Sequence, residues 1–489
     1  MKNLREEGFL MRSFARYSVV VLLMFGLMGT AWAQEGPTTA RAILDGYVQA
    51  GLEGNLALKQ QEIDLETSLW ALNEARGRFL PSVDLQARYS RSGGGRTTDI
   101  PVGDLVNPIY GTLNDLLVAQ GQTPGFPTVD NEEILFLRRR EQDTRLRITQ
   151  PLYQPRLRHN VRVQEGLLSA QEAGVEAYRH QLIRDIKVSY FNFLKAERAV
   201  EIYKATEALV EENERVNARL FQASTVTEDA VFRARAEVLT VAQQTAEAEK
   251  DRDLARSYFN FLLNRPLDTS VETIPPDETL FPEIEGFQVQ LASLEMGVTP
   301  SRLDLQQAAL GRRAELRQLD GAVSASQAAV SLARSAYRPG VSFVLDTGIQ
   351  GERYGFTGER PFYTASLVLQ WNLFNGFQTR AQNRQAKLNL QRLRTQREEL
   401  ESQIQLEVQV AHDNVAVGQR ALLAATERDR TARKSFRIVS RKYDEGLAAQ
   451  VTFLDARTTL TNAQLNLNIT RTDLLIRLAE LEYALASGL

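Results

Sequence analysis

The chain has 489 residues, with 58 basic and 61 acidic side chains and a formal net charge of −3. This balance argues against a nucleic-acid-binding protein, which usually carries a basic excess, and a mean hydropathy of −0.29 excludes a bundle of transmembrane helices. Because the chain has no cysteine, disulfides, thiolate metal sites and a lipid-modified N-terminal cysteine are also excluded.

The N-terminus is typical of a secretory signal peptide. Two arginines precede an apolar stretch at 17–27, and Ala31-Trp32-Ala33 supplies the small residues of a cleavage site. We therefore predict a signal peptide over 1–33, with the start open between the first methionine and Met11. A membrane anchor is the alternative, but the apolar stretch is shorter than the roughly 20 residues of a spanning helix.

The rest of the sequence is duplicated. Arg76–Pro81 matches Arg334–Pro339, at an offset of 258 (334 − 76). Three later matches have offsets of 221 or 222: Leu152-Tyr153 with Leu373-Phe374, Arg219-Leu220-Phe221 with Arg441-Lys442-Tyr443, and Phe232–Arg235 with Leu454–Arg457. We predict a first repeat at 34–265, an irregular proline-containing linker at 266–305 and a second repeat at 306–489.

Each repeat contains two runs in which apolar and polar residues alternate. They lie at about 83–90, 144–152, 341–350 and 363–371. A period of two predicts strands with one apolar and one polar face, and their length suits tilted membrane strands.

The two strands of the first repeat are separated by a long segment at 91–143. The part from Ser92 to Asn131 is rich in Gly, Pro, Asp and Thr, which predicts a loop, with a short helix around Leu113–Leu117.

Long helices follow both strand pairs. No proline occurs between Arg156 and Arg265 or after Phe362, and apolar residues recur every three or four positions. Roughly 65 helical residues make a rod of about 100 Å. We expect the rods to reverse at Ala223-Ser224-Thr225 and at Asp444-Glu445-Gly446.

Four strands are too few for a membrane barrel. An open sheet edge in lipid leaves backbone groups unpaired, and known membrane barrels have at least about eight strands. Either the sheet is soluble or several chains pool their strands, and the signal peptide and strand lengths favour pooling. The predicted fold is an α+β membrane protein: four strands per chain enter an oligomeric transmembrane β-barrel, which long antiparallel helices continue.

Several motifs occur in a specific order: Phe79-Leu80-Pro81, Gln150–Tyr153, Trp371–Gly376, and Tyr443–Gly446 followed by Leu454-Asp455-Ala456. With them, the chain resembles the TolC-like outer membrane efflux protein family over its whole mature length. The resemblance implies a homotrimer with a twelve-stranded barrel in outer-membrane lipid and a helical barrel crossing the periplasm of a Gram-negative bacterium. It also implies a periplasmic adaptor protein and an inner-membrane pump as partners, which serve drug efflux, metal efflux or type I protein secretion.

The resemblance further implies adaptor contacts at the two helical turns. Gly446 and Leu447 match such a position in the second repeat. Ser224 and Thr225 occupy it in the first, where the family usually has glycine. A role in helix reversal alone is the alternative.

A periplasmic gate is the other implied site. Asp455 matches one acidic position of the family, Thr452 stands where another is often acidic, and Tyr443 matches a linking tyrosine. Ala448 stands where a linking arginine would be expected. Three copies of Asp455 around one axis would favour cations, and a solvated acidic turn is the alternative.

No catalytic or cofactor-binding pattern occurs in the sequence. His159, His180 and His412 lie in long helical stretches without an H-E-x-x-H arrangement, and no phosphate-binding loop is present. We expect no enzyme activity, cofactor or metal site. The rival function is a secreted periplasmic coiled-coil scaffold without a pore, which would not need four alternating runs.

Overall fold

The computed structural model describes residues 40–136, 139–273, 302–352 and 361–487. The predicted signal peptide at 1–33 and the greater part of the predicted linker lie outside the described residues. The first half contains α1 (Ala40–Gly54), α2 (Leu56–Gly77), β1 (Ser82–Arg91), β2 (Thr97–Ile100), α3 (Val102–Ala119), β3 (Glu132–Leu135), β4 (Arg140–Tyr153), α4 (Pro155–Gln222) and α5 (Glu228–Leu262). The second half contains α6 (Arg302–Arg312), α7 (Ala314–Ser335), β5 (Gly340–Gly351), β6 (Pro361–Gln370), α8 (Gln378–Asp444) and α9 (Gln450–Leu485).

The two halves repeat one plan, which confirms the predicted duplication. Helices α2 and α7 show the offset of 258 at both ends (314 − 56 and 335 − 77). The ends of α4 and α8 (444 − 222) and the starts of α5 and α9 (450 − 228) show the offset of 222. The difference between the offsets arises between the strands of the first pair, as predicted.

The four predicted strands form one antiparallel sheet in the order β1-β4-β5-β6. Strands β1 and β5 follow α2 and α7, whereas β4 and β6 lead into α4 and α8. All four strands therefore meet the helices at the same end of the sheet. Strand β1 is exposed along nearly its whole length, because the described helices cover neither face of it.

Helices α4 and α7 join the two repeats below the sheet. A Cβ added to Gly166 would lie 2.5 Å from the backbone nitrogen of Ala325, and one on Gly321 would lie 2.6 Å from that of Ala170. The helices can approach this closely only because small residues recur four positions apart on both. Further along α4, Ile186 and Tyr190 are fully buried with Phe259 of α5 in an aromatic core.

Among the described helices, none combines the length and apolar character needed to cross a bilayer.

The segment predicted as a loop at 92–131 is more ordered than its composition suggests. It forms a short β2–β3 ladder and the helix α3, so the short helix expected near Leu113 extends over Val102–Ala119. Asn107 and Asn114 each exchange two hydrogen bonds with the backbone of the returning chain, at Val129 and Phe126 (2.8–3.1 Å). These tertiary bonds stabilise a helix that contains Pro108, which corrects the prediction of a loop.

Candidate functional site

The first helical turn, after α4, is closed by a left-handed residue. Ser224 has φ 58°, and its N–H donates to the carbonyl oxygen of Phe221 at 2.8 Å. The N–H of Thr225 donates to Leu220 at 2.8 Å. This bond pair is the Schellman motif, in which the left-handed position is usually glycine because a Cβ is unfavourable there.

The second turn, after α8, has the same backbone with glycine in the left-handed position. Gly446 has φ 73°, its N–H donates to Tyr443, and the N–H of Leu447 donates to Lys442. Leu447 is 73% exposed. The four residues predicted to contact an adaptor thus occupy equivalent, exposed positions at the two hairpin tips.

Tyr443 links the two helical hairpins near their tips. Its hydroxyl accepts hydrogen bonds from the side-chain amides of Asn213 and Asn217 of α4, at 3.3 and 3.1 Å. Both asparagines are buried, and the tyrosine ring stacks on Phe453 of α9 with centroids 4.8 Å apart. Buried side-chain amides destabilise a fold unless they are hydrogen-bonded. The Tyr443 hydroxyl therefore provides a hydrogen-bond partner for two buried asparagines of the first hairpin.

A second link between the hairpins joins α9 to α5. Arg457 is 4% exposed and forms an ion pair with Glu237, while burial lowers the pKa of the Arg457 guanidinium. Nearer the tip, the Gln450 side chain donates to the backbone oxygen of Ala230 at 2.9 Å. Sequence reasoning missed Asn213, Asn217 and this ion pair, since nothing local marks a partner that lies in the other repeat.

Asp455 and Thr452 lie on the first two turns of α9, and both are exposed. Within the described residues Asp455 has no ion-pair partner. Its equivalent in the first repeat, at the offset of 222, is Arg233, which pairs with Asp229 at 3.0 Å. The two repeats therefore have opposite charges at this equivalent position, Arg233 in the first and Asp455 in the second.

The sheet has one charged face. In the strand register Asp84 lies opposite Arg147, and Arg147 lies opposite Asp346. The Arg147 guanidinium donates from Nε and Nη2 to the two oxygens of Asp346, both at 2.8 Å. Such bidentate pairs are strong and geometrically specific. The charged side chains of this face are therefore held in fixed positions by one another.

The other face of the sheet is apolar. Val83 lies opposite Ile148 and Leu85 opposite Leu146, and the rows continue across β5 and β6. Leu85 is 74% exposed and Tyr363 79% exposed. A contiguous apolar surface of this kind normally marks a contact with lipid or another protein.

Comparison with known proteins decides the family. The model of the outer membrane efflux protein family matches residues 47–265 and 305–487. The chain belongs to the outer membrane efflux protein family. This confirms the predicted outer-membrane location with a large periplasmic portion, and the family consists of transport channels rather than enzymes.

Solved channels have the same fold as this efflux-family chain. The outer membrane channel CmeC of Campylobacter jejuni is 18% identical, with a TM-score of 0.72, over 94% of this chain and 90% of that chain. VceC of Vibrio cholerae is 16% identical, with a TM-score of 0.70, over 91% and 96%. The MtrE channel of Neisseria gonorrhoeae, in its open state, is 18% identical, with a TM-score of 0.69, over 91% and 89%. A comparison with curated proteins gives no match.

Among the described residues, no three or more histidines, aspartates or glutamates are grouped as metal ligands would be. His159 and His180 lie on α4 and His412 on α8, far from the hairpin tips.

Proposed function

We propose that three copies of this chain form a duct from the periplasm to the cell exterior. An inner-membrane pump and a periplasmic adaptor protein would supply the small molecules or proteins that the duct exports. The proposal is supported mainly by one observation: contacts that join the two repeats inside the chain have exposed counterparts, which another copy would cover.

The sheet gives the first counterpart. Inside the chain, β4 of the first repeat pairs with β5 of the second. The equivalent junction would join β6 of one copy to β1 of the next, and these are the two edge strands of the described sheet. Unpaired edges are not tolerated in lipid, so copies added head to tail would satisfy both.

The helices give the second counterpart. The close contact of α4 with α7, through Gly166 and Gly321, corresponds by the offsets of 222 and 258 to a contact of α8 with α2. The equivalent residues are Leu388 and Ile63, which are 48% and 54% exposed. Both are apolar, and both are larger than glycine, so α8 and the α2 of the next copy would lie farther apart than α4 and α7, with these side chains packed between them.

Head-to-tail contacts of this type close into rings when the rotation allows it. Three copies would give a barrel of twelve strands, and the number three comes from the resemblance to the family. The apolar face of the sheet would then meet lipid, and the face with Asp84, Arg147 and Asp346 would line water, as in membrane barrels with polar interiors.

At the other end of the duct, the hairpin tips would form the periplasmic gate. The bonds of Tyr443 with Asn213 and Asn217, and the pair of Arg457 with Glu237, both join the first hairpin to the second. Sliding of one hairpin against the other would break these bonds, which makes them closed-state links in a switching motion. Ser224, Thr225, Gly446 and Leu447 would contact the adaptor, and Thr452 and Asp455 would line the opening.

Cysteine cross-linking tests the assembly, because the natural chain contains no cysteine. The contact of Gly166 with Ala325 corresponds to Leu388 of one copy with Thr67 of the next. We expect the full chain carrying Leu388→Cys and Thr67→Cys to give a covalent species of three times the chain mass after treatment with a bismaleimide. Each single variant serves as control and should not exceed a dimer.

The same preparation should show discrete conductance in planar lipid bilayers. Cross-linking confined to single chains, or a ladder extending beyond three copies, would contradict the proposed ring. Protein that stays in water without detergent and shows no conductance would favour a periplasmic scaffold instead.

A further inference from the structure

Two arginines face each other at the end of the sheet farthest from the long helices, next to the segment that contains α3. Arg91 is the last residue of β1, and Arg140, the first residue of β4, is its direct partner in the strand register. Directly opposite residues on antiparallel strands have Cβ atoms roughly 5 Å apart. Both side chains are exposed.

The pair belongs to the apolar face of the sheet. Side chains alternate along a strand, so Arg91 shares the face of Val83, Leu85 and Tyr89. Arg140 shares the face of Leu146 on the neighbouring strand. Two positive charges therefore lie at the border of this face. Tyr89 follows on β1, and the polar Gln142 and Thr144 follow on β4 before the apolar rows that begin at Leu85 and Leu146.

Neither arginine has a carboxylate partner within the described part of the chain. On the opposite, charged face, Arg88 and Arg145 both lie near Asp143 (4.0 and 3.8 Å), and Arg147 pairs with Asp346. Like charges directly opposite each other destabilise a sheet. A bound anion would therefore relieve the repulsion between Arg91 and Arg140.

We infer that Arg91 and Arg140 bind the phosphate group of a phosphorylated lipid in the outer leaflet. The inference rests on the proposed function, which directs the long helices into the periplasm and this end of the sheet outwards. Guanidinium groups bind phosphate oxygens through paired N–H donors, and the apolar residues below the pair would contact the acyl chains. Because the pair lies on the apolar face, lipid is favoured over a protein partner.

The experiment uses the full chain in detergent and measures lipid binding by native mass spectrometry. The probes are diphosphorylated lipid A, the same lipid with its phosphates removed, and inorganic phosphate. The test variant carries Arg91→Gln and Arg140→Gln. The control carries Arg394→Gln and Arg420→Gln, which remove the same charge from exposed positions on α8.

We expect the phosphorylated lipid to bind the natural chain and the control equally. The dissociation constant should rise at least about tenfold in the test variant, because charge-assisted hydrogen bonds are lost. The dephosphorylated lipid should bind all three proteins weakly, and inorganic phosphate should compete poorly. A paired Arg→Lys variant should bind with intermediate affinity, since lysine keeps the charge but loses the paired donors.

Equal binding by the test variant and the natural chain would overturn the inference, and so would indifference to the phosphates of the lipid. Inorganic phosphate binding as tightly as the lipid would indicate a free-anion site instead. The oligomer mass in the same spectra and the conductance of each protein report on the proposed duct separately. A conducting trimer with unchanged lipid binding would therefore reject only this inference.

Discussion

The tips of the two helical hairpins share one backbone and differ in their side chains. Both turns have the same pair of closing hydrogen bonds and a left-handed residue at the equivalent position. Matched positions that differ include Phe221 and Tyr443, Ser224 and Gly446, Thr227 and Ala449, and Arg233 and Asp455, whereas Arg235 and Arg457 are both arginine and differ in their surroundings.

The backbone of the turn and the bonds between the hairpins depend on different residues. The backbone turn tolerates serine in place of glycine, so its geometry alone does not require the second-repeat sequence. Three groups of the second repeat bond across to the first hairpin near the tips: the Tyr443 hydroxyl, the Gln450 amide and the Arg457 guanidinium. The equivalent of Tyr443 is Phe221, which has no hydroxyl, and the equivalent of Arg457 is Arg235, which is exposed. Within the described part of the chain, these equivalent positions of the first repeat therefore make no such bonds, and the links between the hairpins depend on side chains of the second tip.

The largest expected effect is at the buried ion pair. Arg457→Ala should lower the local stability of the tip by about 2 kcal/mol, because Glu237 loses its partner. Amide hydrogen exchange of the segments at 228–240 and 450–460 should then become roughly thirtyfold faster. Arg235→Ala is the matched control, and its effect should stay within about 0.5 kcal/mol since Arg235 is exposed. Equal effects of the two variants would show that the ion pair does not distinguish the tips.

A smaller effect is expected when the left-handed residues are exchanged. Gly446→Ser should cost about 1 kcal/mol at the second tip, because a side chain at positive φ is strained. Ser224→Gly should stabilise the first tip by about 0.5 kcal/mol, since the gain is partly offset by the freedom of glycine in the unfolded chain. Exchange rates of the amides at 220–227 and 442–449 would measure both. A change of the same sign at both positions would contradict the assignment of equivalent turns.

The smallest effect concerns charge near the opening. Asp455→Asn should reduce the cation preference of the channel, and Arg233→Gln should increase it, because the two residues place opposite charges at equivalent positions. Screening by salt limits each change in permeability ratio to less than about tenfold, and reversal potentials in asymmetric salt would measure it. An unchanged ratio in both variants would show that neither charge faces the pathway.

Much of the architecture could be predicted from local patterns. The alternating runs predicted all four strands of the sheet. The matches at offsets of 258 and 222 predicted which elements correspond. The division into repeats with a linker at 266–305 stays a prediction, since residues 274–301 lie outside the described part of the chain.

The prediction of a loop between β1 and β4, which was based on composition, was wrong for the part that forms α3. Glycine and proline at 93–108 suggested a loop, yet Asn107 and Asn114 stabilise a helix by bonding the backbone of the returning chain. Such bonds depend on where the chain returns, and no local signal in the helix encodes that.

The sequence by itself determined the repeated strand-and-helix plan and the two turns, because period, proline and glycine act on the backbone over a short stretch of chain. Only the tertiary structure decided which side chains meet at the tips. Tyr443 finds Asn213 and Asn217, and Arg457 finds Glu237, through the rotation and height of helices that belong to different repeats. Those two quantities follow from packing along the whole length of α4, α5, α8 and α9, and a local pattern cannot specify them.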